Sequence, residues 1–144
     1  MKKLIIASIV ALFAVALTPQ AKAQSQSLGT PTVAAATTAT VGTNNVATVT
    51  KQQNVVLAFT SRLSAAGTSN LVYTFSRSID GTYYDAITKY TITIPATGTT
   101  TNTYSTNLNV GGFMYLRLDS IDNFNATGVL TNYAIRYSVK PNAP

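Results

Sequence analysis

The sequence contains no cysteine, histidine, tryptophan or glutamate. Without cysteine there is no disulfide framework, no thiolate metal site and no thiol nucleophile. Without histidine the usual general base, the Ser-His-Asp triad and imidazole zinc sites are excluded. Glycoside hydrolysis by paired carboxylates would need two aspartates facing each other across a cleft. The only acidic residues are Asp80, Asp85, Asp119 and Asp122. We therefore expect a protein that is not an enzyme.

Basic residues are also sparse. The chain has 10 lysines and arginines against four acids, for a net charge of +6. Lys2, Lys3 and Lys22 lie in the first 23 residues, and the other basic residues are scattered singly. Nucleic-acid binding usually requires a clustered basic stripe. We expect no nucleic-acid partner.

Residues 1–23 have the pattern of a helical signal peptide. Two lysines precede an apolar run over residues 4–17, and Ala21-Lys22-Ala23 forms a small-residue cleavage site before Gln24. The run is shorter than the roughly 20 residues of a membrane span. The pattern predicts a bacterial secreted protein with no membrane span after cleavage. It leaves the periplasm, the cell surface and the extracellular space open as destinations.

The rest of the chain is one domain's worth of sequence with no helical periodicity. Residues 24–50 are rich in Ala and Thr, and they suit either a flexible leader or one or two edge strands. Residues 51–140 contain alternating β-prone runs separated by turn residues, and residues 141–144 form a short tail. The sequence predicts an all-β fold, a single antiparallel β-sandwich of the immunoglobulin-like or jelly-roll type.

Residues 71–94 contain two alternating runs on either side of Asp80-Gly81. An Asp-Gly pair in this position is typical of a hairpin with a two-residue type I′ turn, which needs positive φ at both residues. That turn leaves Tyr83 and Ile87 on the outer, polar face. The inner face carries Leu71, Tyr73, Phe75, Tyr84, Ala86 and Tyr90. The predicted register pairs Phe75 with Ala86 and Tyr73 with Thr88.

Residues 119–128 read as an oxygen-rich loop. Two carboxylates and two amide oxygens there are the ligand types that calcium prefers, although the spacing matches no EF-hand and turn chemistry also explains them. The candidate calcium ligands are Asp119, Asp122, Asn123 and Asn125.

The segment Ser78-Ile-Asp-Gly-Thr-Tyr-Tyr84 is similar to the S-x-D-G-x-x-W hairpin of discoidin-type sandwiches, and Tyr115-Leu-Arg-Leu118 to the aromatic-x-R-L pattern of a later strand in them. The first segment also resembles the Asp-box of sialidase-type propellers. The sequence lacks the tryptophan that ends each of these two hairpin motifs. The discoidin resemblance implies binding, and the candidate ligand-binding residues are Tyr83 and Arg77.

These observations favour an exported structural or adhesive protein that acts by self-assembly or surface attachment. Its expected partners are other copies of itself or other cell-surface proteins. The alternative is a secreted carbohydrate-binding module that stacks glycans on exposed tyrosine rings. Most of the eight tyrosines are expected in the core, which leaves Tyr83 as the outward ring.

Overall fold

The computed structural model describes residues 28, 32–41, 46–49, 54–67, 69–95 and 98–139. For residues 132, 133 and 139 it describes the backbone alone. The predicted signal peptide at 1–23 and the tail at 141–144 lie outside the described residues. No helix among the described residues is long and apolar enough to cross a membrane.

Within these residues, eight strands form two antiparallel sheets. The five-stranded sheet contains β1 (Thr37–Thr40), β2 (Val46–Thr48), β4 (Leu71–Ser78), β5 (Lys89–Ile94) and β7 (Tyr115–Asn123). The three-stranded sheet contains β3 (Asn54–Leu63), β6 (Asn102–Asn109) and β8 (Leu130–Val139). The prediction of an all-β antiparallel sandwich is confirmed.

The strands pair as a long hairpin that has been rolled up. β4 pairs with β5, β3 with β6, and both β1 and β2 with β7. Upstream of β1, the Leu28 N–H donates to the Ile135 carbonyl, and Val33 bridges Leu130, so this segment lies along β8. Four nested antiparallel pairs of this kind form a jelly roll, one of the two sandwich types expected.

The core lies between the two sheets. On β3 the side chains of Val55, Leu57 and Phe59 are buried, because alternate residues of a strand point to the same face. The Phe59 ring lies 4.9 Å from the Tyr73 ring and 6.3 Å from the Phe75 ring, both on β4 of the opposite sheet. These aromatic contacts join the two layers.

The predicted hairpin register is wrong by four residues. Phe75 lies opposite Tyr90, and Tyr73 lies opposite Ile92. A type I′ turn would require positive φ at Asp80, but only Gly81 of the pair has it, at 78°. The connection is a ten-residue loop, residues 79–88, which we call the β4–β5 loop. Because the shift is even, the buried face of β4 is the predicted one.

Bulges account for two further differences. Thr74 pairs with Ser120 and Phe75 with Leu118, which leaves Asp119 as the extra residue of β7. The strand continues to Asn123, so residues 119–123 are not part of a loop as predicted. A second bulge in β8, at the step between Arg62 and Leu63 of its partner, leaves Thr131 exposed, whereas strict alternation along the strand would place it on the same face as the buried Ile135 and Tyr137. The side chain of Tyr133 lies outside the described residues.

Segment 24–50, for which a flexible leader and edge strands were both open, contributes β1 and β2. It also supplies buried side chains to the same core as the later strands. These are Leu28, Val33, Val41, Ala47 and Val49. Part of this segment therefore belongs to the folded domain.

Phe59→Ala should lower the free energy of unfolding by about 3–5 kcal/mol, since it opens a cavity at the junction of the two sheets. Thr60→Ala, on the outer face of the same strand, should cost less than about 1 kcal/mol. Urea denaturation followed by circular dichroism measures both values. Equal losses would contradict the assignment of Phe59 to the shared core.

Candidate functional site

Asp80 organises the first half of the β4–β5 loop. Its Oδ1 accepts hydrogen bonds from the backbone N–H groups of Thr82 (2.8 Å) and Tyr83 (3.0 Å) and from the Ser78 hydroxyl (2.9 Å). The Ser78 hydroxyl in turn accepts from the Gly81 N–H at 3.0 Å. These bonds favour the charged carboxylate and lower the pKa of Asp80, and the bond from the Tyr83 N–H contributes most to the lowering. The turn residue expected from the sequence is therefore a local cap instead of a hairpin corner.

Gly81 fits this turn for two reasons. Its φ of 78° is one that side chains rarely adopt. A Cβ atom there would lie 3.2 Å from the Tyr115 ring. The loop backbone is thus seated directly against the start of β7.

Asp85 organises the second half of the loop in the same way. Its Oδ1 accepts from the N–H groups of Thr88 (2.9 Å) and Ile87 (3.0 Å), and these bonds lower its pKa. Its Oδ2 forms an ion pair with Arg77 Nε at 3.5 Å, and its own N–H donates to the Arg77 carbonyl. Two aspartates therefore cap two successive turns, which leaves the loop with a defined conformation.

Arg77 is held from several sides. Its guanidinium lies 4.2 Å from the centre of the Phe113 ring and 5.6 Å from that of Tyr90, whose hydroxyl accepts a hydrogen bond from Nη1 at 3.2 Å. Cation–π contacts and the Asp85 pair share one cation. Arg77 therefore has a structural role, because its fixed guanidinium supports the loop through Asp85.

The Asp119 bulge supports the loop from its other side. Asp119 accepts hydrogen bonds from Lys89 Nζ (2.6 Å), Arg117 Nε (2.9 Å) and the Ser76 hydroxyl (2.9 Å). Burial by itself would raise the pKa of Asp119, but these three donors outweigh it and hold the pKa below its ordinary value. The cluster ties β4, β5 and β7 together where the loop begins and ends.

Tyr84 packs on this cluster. The Arg117 guanidinium lies 4.0 Å from the centre of its ring. Burial raises the pKa of the Tyr84 hydroxyl, and Arg117 opposes that shift. Tyr84 was expected on the inner face of the hairpin, but it lies in the loop and links the loop to β7.

A depression of about 320 Å³ lies beside the loop. It contains both of the predicted ligand-binding residues, Tyr83 and Arg77. Tyr83 is 82% exposed, as expected, whereas Arg77 is turned toward Asp85. The lining residues are Arg77, Ser78, Ile79, Asp80, Tyr83, Tyr84, Asp85 and Phe113.

Sequence reasoning did not identify Ile79 and Ile87 as contact residues, although it placed Ile87 on the outer, polar face of the hairpin. Ile79 is 67% exposed and Ile87 is 95% exposed, so with Tyr83 this one loop presents three large apolar side chains to solvent. The type I′ register had placed both isoleucines on strands. The available signal is the second aspartate of the segment, Asp85, because aspartate is a residue type that forms Asx-turns with the backbone N–H groups that follow it.

The four candidate calcium ligands do not converge on one point, although two of them contact each other. Asp119 faces cations, and Asp122 accepts from the Thr38 hydroxyl. Asn123 and Asn125 do come together: the buried Asn123 Oδ1 accepts from Asn125 Nδ2 at 2.9 Å, and its own Nδ2 donates to the Gly128 carbonyl. Over the described part of the chain, no three His, Cys, Asp or Glu side chains form a metal-sized group. Calcium binding stays a prediction.

No family model and no curated protein matches this chain. Among solved structures, the PRD1 vertex protein P5 is similar at 14% identity and a TM-score of 0.43, over 78% of this chain and 87% of that one. A carbohydrate-binding module from Cellvibrio mixtus lichenase 5A, solved with cellotriose, is similar at 14% identity and a TM-score of 0.40, over 86% of this chain and 92% of that one. The Bacillus endospore appendages, a family of disulfide-linked pili, are similar at 18% identity and a TM-score of 0.32, over 86% of this chain and 98% of that one. All three TM-scores are below 0.5, and all three identities are below 20%.

Acid should destabilise the protein partly through Asp119. Because its pKa is lower in the folded chain, the unfolded chain binds more protons, so the stability contribution is full above the ordinary value of 3.8 and is lost as pH falls below it. Asp119→Asn should lower the free energy of unfolding by about 1–3 kcal/mol at neutral pH. The variant should also lose less stability than the wild-type protein as the pH falls into the acid range. Denaturant titrations across the pH range measure this. Asp122→Asn removes the same charge from the same strand, and an equal reduction of the acid-induced loss there would contradict the special role of Asp119.

Proposed function

We propose that the protein is a non-catalytic attachment protein that works outside the cytoplasm, and that the β4–β5 loop is its attachment surface. The observation that carries the proposal is a single ordered loop that holds Ile79, Tyr83 and Ile87 in solvent. Large exposed apolar side chains grouped on one element are typical of interaction sites. An exposed apolar loop of this kind suits a structural or adhesive role.

The order of the loop supports binding. The loop backbone is fixed in the unbound protein by the two aspartate caps, the Arg77–Asp85 ion pair and the stacking of Arg117 on Tyr84. A partner then loses less free energy to the ordering of the loop, so more of the apolar contact contributes to affinity. The same contacts give the loop one shape, which favours a specific partner.

The charges around the loop favour a protein partner with an apolar recess. Asp85 balances Arg77, and Asp119 is shared by Lys89 and Arg117, so the described residues around the loop form no basic cluster that would attract an anionic membrane or polymer. Isoleucine offers dispersion contacts and no hydrogen bonds. Another surface protein is the partner that matches both properties.

The non-catalytic part of the proposal rests on the carboxylates. The pKa values of Asp80, Asp85 and Asp119 are all lowered, whereas a general acid at neutral pH needs a raised one. Each of these oxygens already serves the loop or the bulge. With no histidine, cysteine or glutamate in the sequence, the chain offers few other groups for proton transfer.

Binding of the purified protein to washed producer cells tests the attachment surface. The combined variant Ile79→Ser, Tyr83→Ser and Ile87→Ser should lower the bound fraction by at least about tenfold, since each lost anchor is worth about 1 kcal/mol or more. Phe124→Ser is the control, because Phe124 is also exposed, at 60%, but follows the opposite end of β7. Equal binding by the loop variant and the control would overturn the proposal.

A saccharide ligand is the second candidate, and the depression beside Tyr83 favours it. A 320 Å³ recess with an exposed aromatic ring, an arginine and two aspartates combines a stacking platform with hydrogen-bonding groups. In this case the tyrosine ring matters and the isoleucine beyond the recess does not.

The two candidates differ in their response to single substitutions. For a saccharide ligand, Tyr83→Ala should abolish retention on immobilised glycans and Ile87→Ala should leave it unchanged. For a protein partner, both substitutions should weaken binding to cells. A glycan array with no signal for the wild-type protein would remove the saccharide candidate.

A further inference from the structure

The two sides of the sandwich end differently. On one side, the edges of β7 and β8 are covered by short N-terminal pieces: β1 has four residues, β2 has three, and the pairing near Val33 is an isolated bridge. Short edge strands are a common protection against edge-to-edge association. On the other side lie β5 and β6, and within the described residues each pairs on one side alone.

Over the part of the chain that the structure describes, β6 lacks the usual protections of an edge strand. It runs for eight residues, NTYSTNLN, with no charge and no proline, and its register with β3 is free of bulges. By contrast, β5 begins with Lys89, whose ammonium is held by Asp119. A long, flat, uncharged edge carries a row of backbone donors and acceptors that suit another strand.

The inner face of β6 is also incompletely covered. Tyr104 is 40% exposed although it pairs with the buried Phe59, and Leu108 is half-buried opposite the buried Val55. Ser105 and Asn107 point to the other, solvent-exposed face. The strand therefore has an apolar face and a polar face, and a partner strand must match both.

We propose that β6 pairs antiparallel with β6 of a second copy, so that a two-fold axis passes midway between Thr106 of one copy and Thr106 of the other. Residues opposite each other must lie on the same face, so one residue of the strand has to lie opposite its own copy. With Thr106 in that position, Tyr104 faces Leu108 of the other copy and Ser105 faces Asn107 of the other copy. No like charges meet, and a ladder of roughly six to eight backbone hydrogen bonds joins the two three-stranded sheets.

This pairing is independent of the proposed attachment surface, because the β4–β5 loop takes no part in it. Its consequence is that one particle carries two attachment loops. Two linked sites raise the effective concentration for the second contact, and so strengthen adhesion to a surface with many partner molecules.

Because the chain contains no cysteine, single thiols report the register directly. Thr106→Cys should form a disulfide-linked pair of chains under mild oxidation at least about tenfold faster than Thr91→Cys on the exposed face of β5, since association raises the effective thiol concentration. Equal rates would overturn the proposal. Faster linkage through Ser105→Cys than through Thr106→Cys would overturn the stated register.

Charge substitutions test the same pairing in solution. Ser105→Lys combined with Asn107→Lys sets like charges opposite each other and should reduce the mass measured by light scattering from two chains to one. Ser105→Lys combined with Asn107→Asp sets opposite charges there and should retain two chains. A wild-type protein that is monomeric at its highest soluble concentration, or a lysine pair that leaves the mass unchanged, would overturn the proposal. The triple loop variant should remain a two-chain particle, so failure of the attachment proposal is a separate result.

Discussion

The structure around the loop depends on one carboxylate at a β-bulge. Asp119 is the extra residue of β7, and its side chain contacts Ser76 of β4, Lys89 of β5 and Arg117 of its own strand. Burial opposes its charge, and the three donors compensate for it. Lys89 opens β5, and Arg117 stacks on Tyr84 of the loop. A residue that has no partner in β4, although its carbonyl accepts from the Val41 N–H, thereby becomes the anchor of an exposed loop.

The rolled-hairpin topology explains where contact surfaces lie. The β4–β5 loop is the tip of the hairpin, so it projects from the fold instead of linking the two sheets. The first pieces of the chain end up beside β7 and β8 and cover those edges, whereas β5 and β6 remain at the other side. One side is closed by short strands and the other offers a long uncharged strand. The proposed attachment loop and the proposed assembly edge are then separate products of the same topology.

Periodicity predicted the strands well because alternation depends only on which side chains can be buried. Leu71, Tyr73 and Phe75 were assigned to the buried face of β4, and all three are buried there. The pairing of Phe75 was wrong because the strongest local turn signal, Asp80-Gly81, competes with a cap in which Ser78 and Asp80 take up the backbone donors. Face and register are different questions, and an error of four residues preserves the first while it changes the second.

The sequence by itself determined the fold class, the outward position of Tyr83 and the scarcity of catalytic groups, since each depends on residue types and local spacing. Only the tertiary structure decided the role of residues 119–125. Asp119 and Asn123 look alike as oxygen donors in a sequence, but the bulge sends one to a lysine and an arginine and the other into a buried amide pair. It also decided which strand edges are covered, because that depends on contacts between residues as far apart as Leu28 and Ile135. No local pattern encodes such contacts.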